Sequence, residues 1–290
     1  MPSYQGVITM RIAVLTDSTA YLPEHLVQMH DIHIVPLSVI FGEEAYREEL
    51  DVSTEQFYQR MGSEKELPKT SQPPIGVFVQ ELEHIRNNYD ACICIHLSSG
   101  ISGTYQTAIS AGAMVEGLEV KVFDSEISCM VQGFYVLEAA QMAEQGATLD
   151  EIFARLNEMK TSMKAYFMVD DLNNLQKGGR LSSAQALVGS LLQVKPILHF
   201  QDKIIVPFEK IRTRKKALAR IIGMLEEDAE KSTVEKVTFI HANDLESAQN
   251  LKMSFEEKYP EVKTDISHFG PVIGTHLGEG ALGIGWYCKK

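Results

Sequence analysis

Ser98-Ser99-Gly100-Ile101-Ser102-Gly103-Thr104 places four hydroxyl side chains and two glycines within seven residues. Hydroxyls and free backbone N–H groups at a helix N-terminus attract an anion. Three other spots offer related chemistry. Thr70-Ser71 sits in Lys69-Thr70-Ser71-Gln72-Pro73-Pro74, and Lys177-Gly178-Gly179-Arg180 sets two cations around two glycines. The stretch Gly270–Gly285 contains Gly274-Thr275-His276, one histidine between flexible turns, where a side chain can be presented to a pocket. Taken alone, each spot also reads as an ordinary turn. His96 and His199 lie in apolar runs and read as core or edge histidines, as does His241 after its strand.

Ser102 and His276 invite a hydrolase reading, which needs a base within ~3 Å of the serine and an acid to orient that base. The turn lacks the Gly-x-Ser-x-Gly spacing of a nucleophile elbow. Neither Gly-x-x-x-x-Gly-Lys-Ser/Thr nor Gly-x-Gly-x-x-Gly after a strand occurs, so no nucleotide or dinucleotide cofactor is expected. No His, Cys and carboxylate cluster has metal-ligand spacing, so no metal is expected either. A binding protein that holds an anion by neutral hydroxyls and one histidine fits the residues better. The alternative is an autonomous Ser/His hydrolase or another small-molecule enzyme.

These residues need elements to position them. Arg11–Thr16, Ile32–Phe41 (broken at Pro36), Ala91–Leu97 and Val120–Asp124 read as strands. Helices are expected from about Pro23, from Ser53 or Thr54 to Met61, over 75–87, after the serine turn, over 133–144 and over 148–160. Lys69–Pro74 reads as a loop. The alternation implies a parallel sheet, and ligands sit at the carboxyl ends of such strands. After about residue 160 the pattern changes. Strands are expected at 165–169, 195–200, 203–207, 237–241 and 263–267, and helices at 171–177, 182–192, 213–231 and 244–258. Strand pairs too close for a helical crossover imply mixed pairing. The fold class is therefore α/β, with a parallel-sheet domain at 10–160 and a mixed-sheet domain at 161–290.

The chain has 290 residues, 44% of them hydrophobic, enough for two ordinary domains. A net charge of −12 argues against nucleic acid or an anionic membrane as the main partner. No apolar run approaches the ~20 residues of a membrane span, so stable membrane insertion is not expected. The first nine residues lack the pattern of a signal peptide and read as a loose extension. The four cysteines include Cys92 and Cys94, too close on one strand for a sensible disulfide, and read as free thiols. A cytoplasmic location is expected.

Five motifs, in order, resemble the DegV family of bacterial fatty-acid-binding proteins that serve fatty acid kinase. They are Leu15-Thr16-Asp17-Ser18, Lys69-Thr70-Ser71-Gln72-Pro73, Ser98 to Tyr105, Lys177-Gly178-Gly179-Arg180-Leu181-Ser182, and Gly270 to His276. Together they span nearly the whole chain. The resemblance implies two α/β domains with one long-chain fatty acid between them. It implies that Thr70, Ser102 and His276 hold the carboxylate. Ser71, Ser98, Gly103, Gly274 and Thr275 are expected to play secondary binding roles, and Arg180 a conformational or docking role near the site. It further implies a separate ATP-binding kinase subunit that phosphorylates the carboxylate for phospholipid synthesis, the carrier having no catalysis of its own. Two departures stand out. Gly278-Glu279-Gly280 replaces the family's common Gly-Pro-Gly and places a carboxylate near the anion site. Cys129-Met130-Val131-Gln132 is bulkier than the usual small residues, which puts the tunnel shape in question.

An acyl chain needs apolar walls, for which Phe167, Met168, Leu187, Leu191, Leu192, Ile197 and Leu198 are candidates. Lys210, Arg212, Arg214, Lys215, Lys216 and Arg220 form a basic cluster on an acidic chain. Three of them fall in a first helical turn, where the dipole disfavours cations. The cluster is a candidate docking surface for an acidic face of the kinase.

Overall fold

A computed structural model describes residues 10–64, 66–181 and 195–289. The expected helix at 182–192, with Ser182, Leu187, Leu191 and Leu192, lies outside the described residues, as does the N-terminal extension 1–9.

The first sheet has the order β2-β1-β6-β7, all parallel. Its strands are β1 (Ile12–Asp17), β2 (His33–Val35), β6 (Ala91–His96) and β7 (Glu119–Asp124). The run Ala91 to His96 is fully buried because helices cover both faces of its sheet. One face carries Cys92 and Cys94 against α3 (Ile75–Arg86) and α4 (Thr104–Gly112). The other carries Ile93 and Ile95 toward α5 (Cys129–Glu144). That helix is mostly apolar along its first three turns and buried continuously from Cys129 to Leu137, with Gln132 the polar exception. Then α6 (Leu149–Lys160) begins with a capping box of Thr148 and Glu151.

The chain changes sheet between Lys160 and Lys164. The second sheet has the order β10-β9-β8-β13-β11-β12, with β11 and β12 parallel and the other neighbours antiparallel. Its strands are β8 (Lys164–Met168), β9 (Ile197–Gln201), β10 (Ile204–Glu209), β11 (Val234–His241), β12 (Lys263–His268) and β13 (Leu282–Cys288). Beyond its outer face lie α8 (Arg214–Lys231) and α9 (Leu245–Lys258). A third, antiparallel sheet has the order β4-β3-β5, from β3 (Ser38–Phe41), β4 (Glu44–Arg47) and β5 (Lys69–Ser71). Four short helices and a 3-10 turn at Ser18–Ala20 complete the described elements: α1 (Glu24–Met29), α2 (Thr54–Met61), capped by Ser53 and Gln56, α7 (Asn173–Lys177) and α10 (Pro271–Leu277). We propose the division 10–160 and 161–290 from the change of sheet; one apolar cluster, which includes α5, joins both halves.

Several expectations need correction. Lys69–Ser71 is a strand, because Thr70 pairs with Val39 on β3. The glycine-rich end is not a set of flexible turns. It forms helix α10 and then β13, an interior strand of the second sheet. Gly283 and Gly285 occupy the inward positions of β13, and a Cβ on Gly285 would collide with Val131 of α5. Glycine there permits close packing rather than a turn. The strand period also divides the proposed tunnel walls. Phe167 and Leu198 face the α5 side, whereas Met168 and Ile197 face α8 and α9 in a separate cluster.

Candidate functional site

Three elements from distant parts of the chain converge. Edge strand β5 presents Thr70, the turn before α4 presents Ser102, and α10 presents His276. All three line one polar cavity, a cage of about 680 Å³ partly open to solvent, together with Ser71, Gly103 and Arg180. Thr70 Oγ1 and His276 Nε2 share a hydrogen bond of 2.9 Å. Ser102 Oγ lies 2.9 Å from Thr104 Oγ1 and accepts from the Thr104 N–H, at the N-terminus of the nine-residue α4.

The second half of α10 is held by its first half. Glu48, fully buried, accepts from Val272 N–H at 2.9 Å and from the hydroxyls of Ser18 and Tyr21. Burial pushes its carboxyl up to about 8, against the pull of those three donors. Tyr58 donates to the Phe269 carbonyl at 2.7 Å, just before the helix. Gly274, expected in the site, instead lies against Phe57 and Tyr58, where a Cβ would clash. Thr275 donates to the Pro271 carbonyl and lines the neighbouring vestibule.

His276 is 9% exposed, and its Nδ1 is buried without a partner among the described residues. Burial, then the nearby Arg180 charge, depresses its pKa to about 4, so it is neutral at pH 7. A Cβ on Gly178 would run into this ring, so glycine is required for the approach of α7's end to α10. Arg180 donates to two carbonyls, from Nε to Ile101 at 3.2 Å and from a terminal nitrogen to Gly178 at 2.6 Å. It is half-buried and has no carboxylate partner among the described residues. Burial lowers its pKa. A half-buried guanidinium without a counter-charge is costly, and an anion from outside would relieve that cost.

An apolar cavity of about 540 Å³, partly open to solvent, begins at Ile101, Arg180, Ile273 and His276. It continues past Val131, Phe167, Ile240 and Phe269. Phe167 is thus a wall residue, as expected; Leu198, though on the same face, is not among the lining. Cys129 and Val131 of the bulky segment do line the cavity. Gln132 turns away and donates to Thr16 Oγ1 and Asp17 Oδ2. On the other side of the cage, an open vestibule of about 1530 Å³ is also lined by Thr70, Arg180 and His276. Arg180 and His276 therefore touch all three spaces.

Other expectations fare differently. Ser98 Oγ donates to the Lys203 carbonyl at 2.6 Å, so it ties the turn to the β9–β10 hairpin and lines none of these spaces. Exposed Glu279 accepts from Asn243 at 2.6 Å and does not line the cage. Ser102 and His276 make separate hydrogen bonds, and none joins them, as a nucleophile and its base would need. His96 is a core histidine, bonded through Nδ1 to Asp17 at 3.0 Å. Sequence reasoning missed Ile101, Ile273 and Phe269 as walls; they carry no signal beyond being apolar. All four cysteines are free. No helix among the described residues is long and apolar enough to cross a membrane.

Comparison with known proteins follows the same outline. The family model described as "Uncharacterised protein, DegV family" matches residues 11–289. Protein DegV of Bacillus subtilis is 56% identical over 281 residues, which cover 97% of this chain and 100% of that protein. The crystal structure of DegV from Bacillus subtilis, a fatty acid binding protein, superimposes with a TM-score of 0.92, covering 97% of this chain and 100% of that one at 56% identity. A fatty acid binding DegV family protein from Streptococcus agalactiae gives a TM-score of 0.89 at 32% identity, covering 97% of this chain and 100% of that chain. Matched over nearly its whole length by the family model and by a 56% identical relative, the chain belongs to the DegV family.

Proposed function

We propose that the protein binds one long-chain fatty acid and presents its carboxylate to a separate ATP-binding kinase subunit. The observation that carries this reading is the junction at Arg180 and His276, where an uncompensated cation and a neutral histidine close one end of an apolar cavity. Thr70 and Ser102 complete the cage with hydroxyl donors, and Arg180 supplies the charge. Its role is direct anion binding rather than docking alone. An acyl chain in the apolar cavity gains ~0.8 kcal/mol per buried CH₂, on the order of 10 kcal/mol for sixteen carbons before ordering costs. Fatty acid binding by related DegV proteins supports the same assignment.

The vestibule gives a phosphoryl donor a route to the cage. In the partner's reaction a carboxylate oxygen attacks the γ-phosphorus of ATP, the bond to ADP breaks, and an acyl phosphate forms. Neutral His276 holds the acid without competing for its charge. The docking surface narrows to Arg212, Lys215 and Lys216. Arg214 is committed internally, to Asp170, Asp244 and the Gly280 carbonyl, and Arg220 pairs with Glu209. The protein is expected to act in the cytoplasm, without turnover alone.

Mass spectrometry of lipid released from denatured pure protein tests the reading. About one equivalent of free long-chain fatty acid is expected. Repeated preparations with none, and no binding of added fatty acid, would overturn it.

A further inference from the structure

The apolar cavity has a second polar neighbour, across walls that are not part of the cage. Ile127, Ala165, Tyr166 and Phe200 line both the apolar cavity and a polar chamber of about 600 Å³, partly open to solvent. None of these four residues belongs to the cage. An acyl chain anchored at Arg180 and His276 that runs along Tyr166 and Phe200 meets a wall with polar space behind it, rather than a closed apolar pocket.

The three lysines of this chamber are already paired. Lys160 pairs with Glu126, Lys203 with Asp124, and Lys164 with Asp228. The Tyr135 hydroxyl is not. It lines the chamber, is fully buried, and has no hydrogen-bond partner among the described residues. Tyr135 comes from α5, the helix that also supplies Cys129 and Val131 to the apolar cavity. Burial raises its pKa, so the phenol remains a neutral donor. A buried hydroxyl without a partner is unfavourable, and a ligand oxygen would satisfy it.

We propose that the tunnel accepts long-chain fatty acids oxygenated at the end remote from the carboxylate, with a neutral hydroxyl or carbonyl oxygen hydrogen-bonded by Tyr135. A second carboxylate is disfavoured, because the chamber's lysines already have partners. The proposal rests on the carboxylate being held in the cage.

Equilibrium binding to the full chain tests it, using plain acids and ω-hydroxy acids from about twelve to eighteen carbons. In an apolar dead end, an unpaired ω-hydroxyl would weaken binding by about tenfold or more at every length. Here, at the length that reaches the chamber, the ω-hydroxy acid binds within about threefold of the plain acid or tighter. Tyr135→Phe then weakens the ω-hydroxy acid by about three- to tenfold and leaves the plain acid unchanged. A penalty of tenfold or more at all lengths, or an equal effect of Tyr135→Phe on both series, overturns the inference. So does an ω-dicarboxylic acid binding tighter than the ω-hydroxy acid. If plain acids also fail to bind, the carboxylate reading itself falls; if only the ω-hydroxy series fails, that reading stands.

Discussion

His96 and His276 are both buried, yet their surroundings drive them in opposite directions. His96 sits at the end of β6 with its Nδ1 on Asp17, which also accepts from the Leu97 N–H, the Gln132 amide and the Thr19 hydroxyl. Burial disfavours its charge, but the bonds to Asp17 and Cys94 outweigh burial and raise its pKa to about 9. His276 has no carboxylate. Burial and Arg180 both act against protonation, and its pKa falls to about 4. One region contains its own counter-charge; the other leaves Arg180 bonded to carbonyls alone, with no carboxylate among the described residues.

The largest expected effect breaks the closed network. Asp17→Ala strands a buried histidine and should destabilise the protein by about 3–5 kcal/mol, read from denaturant midpoints. His276→Ala, by contrast, removes a group that is neutral and partly unsatisfied, and should cost much less stability while weakening fatty-acid binding. Equal destabilisation by the two variants would erase the distinction between them.

Stability against pH sharpens the comparison. The folded His276 pKa lies below the ordinary 6.5, so its contribution is fully present above 6.5 and is lost as pH falls toward 4, on the order of 3 kcal/mol in all. His96 has the opposite sign: its contribution is present below 6.5 and is lost as pH rises through 9. His276→Gln should flatten the acid side of the stability profile without altering the alkaline side.

Arg180→Met removes the unmatched cation. Affinity for fatty acid should fall by about 1.5–3 kcal/mol, while the thermal midpoint of the ligand-free protein holds or rises. A lower midpoint with unchanged affinity would make Arg180 a structural residue. The smallest effect belongs to the surface. Reversing Lys215 and Lys216 to Glu should leave the fold and fatty-acid binding intact, yet reduce kinase-dependent acyl phosphate formation most strongly at low salt. Undiminished phosphorylation at low protein concentration would remove this face from the docking surface.

The sequence made the first sheet legible because parallel strands buried on both faces read as unbroken apolar runs, as in Ala91–Ile95. A capping hydroxyl at Ser53 or Thr54 marked one helix start, and 3.6 spacing marked the helix from Thr148. β13 was hidden because its inward positions are glycines, although Leu282, Ile284 and Trp286 alternate on its outer face. β5 was hidden because its stability comes from pairing with β3, a long-range contact that leaves no local pattern. The cage hydroxyls and His276 stood out by type and surroundings. The charge balance did not: that Arg180 lacks a partner while Arg214 has several is set by tertiary contacts.

The central claim is that Arg180 and His276 receive a carboxylate. Carbon-13 NMR of a bound fatty acid labelled at its carboxyl carbon tests it most directly. With Arg180 as the partner, the bound carboxyl should remain ionised to a pH below the titration midpoint of the free acid, and Arg180→Met should raise that midpoint. A bound carboxyl that titrates at or above the free acid's midpoint, with no response to Arg180→Met, would contradict the account.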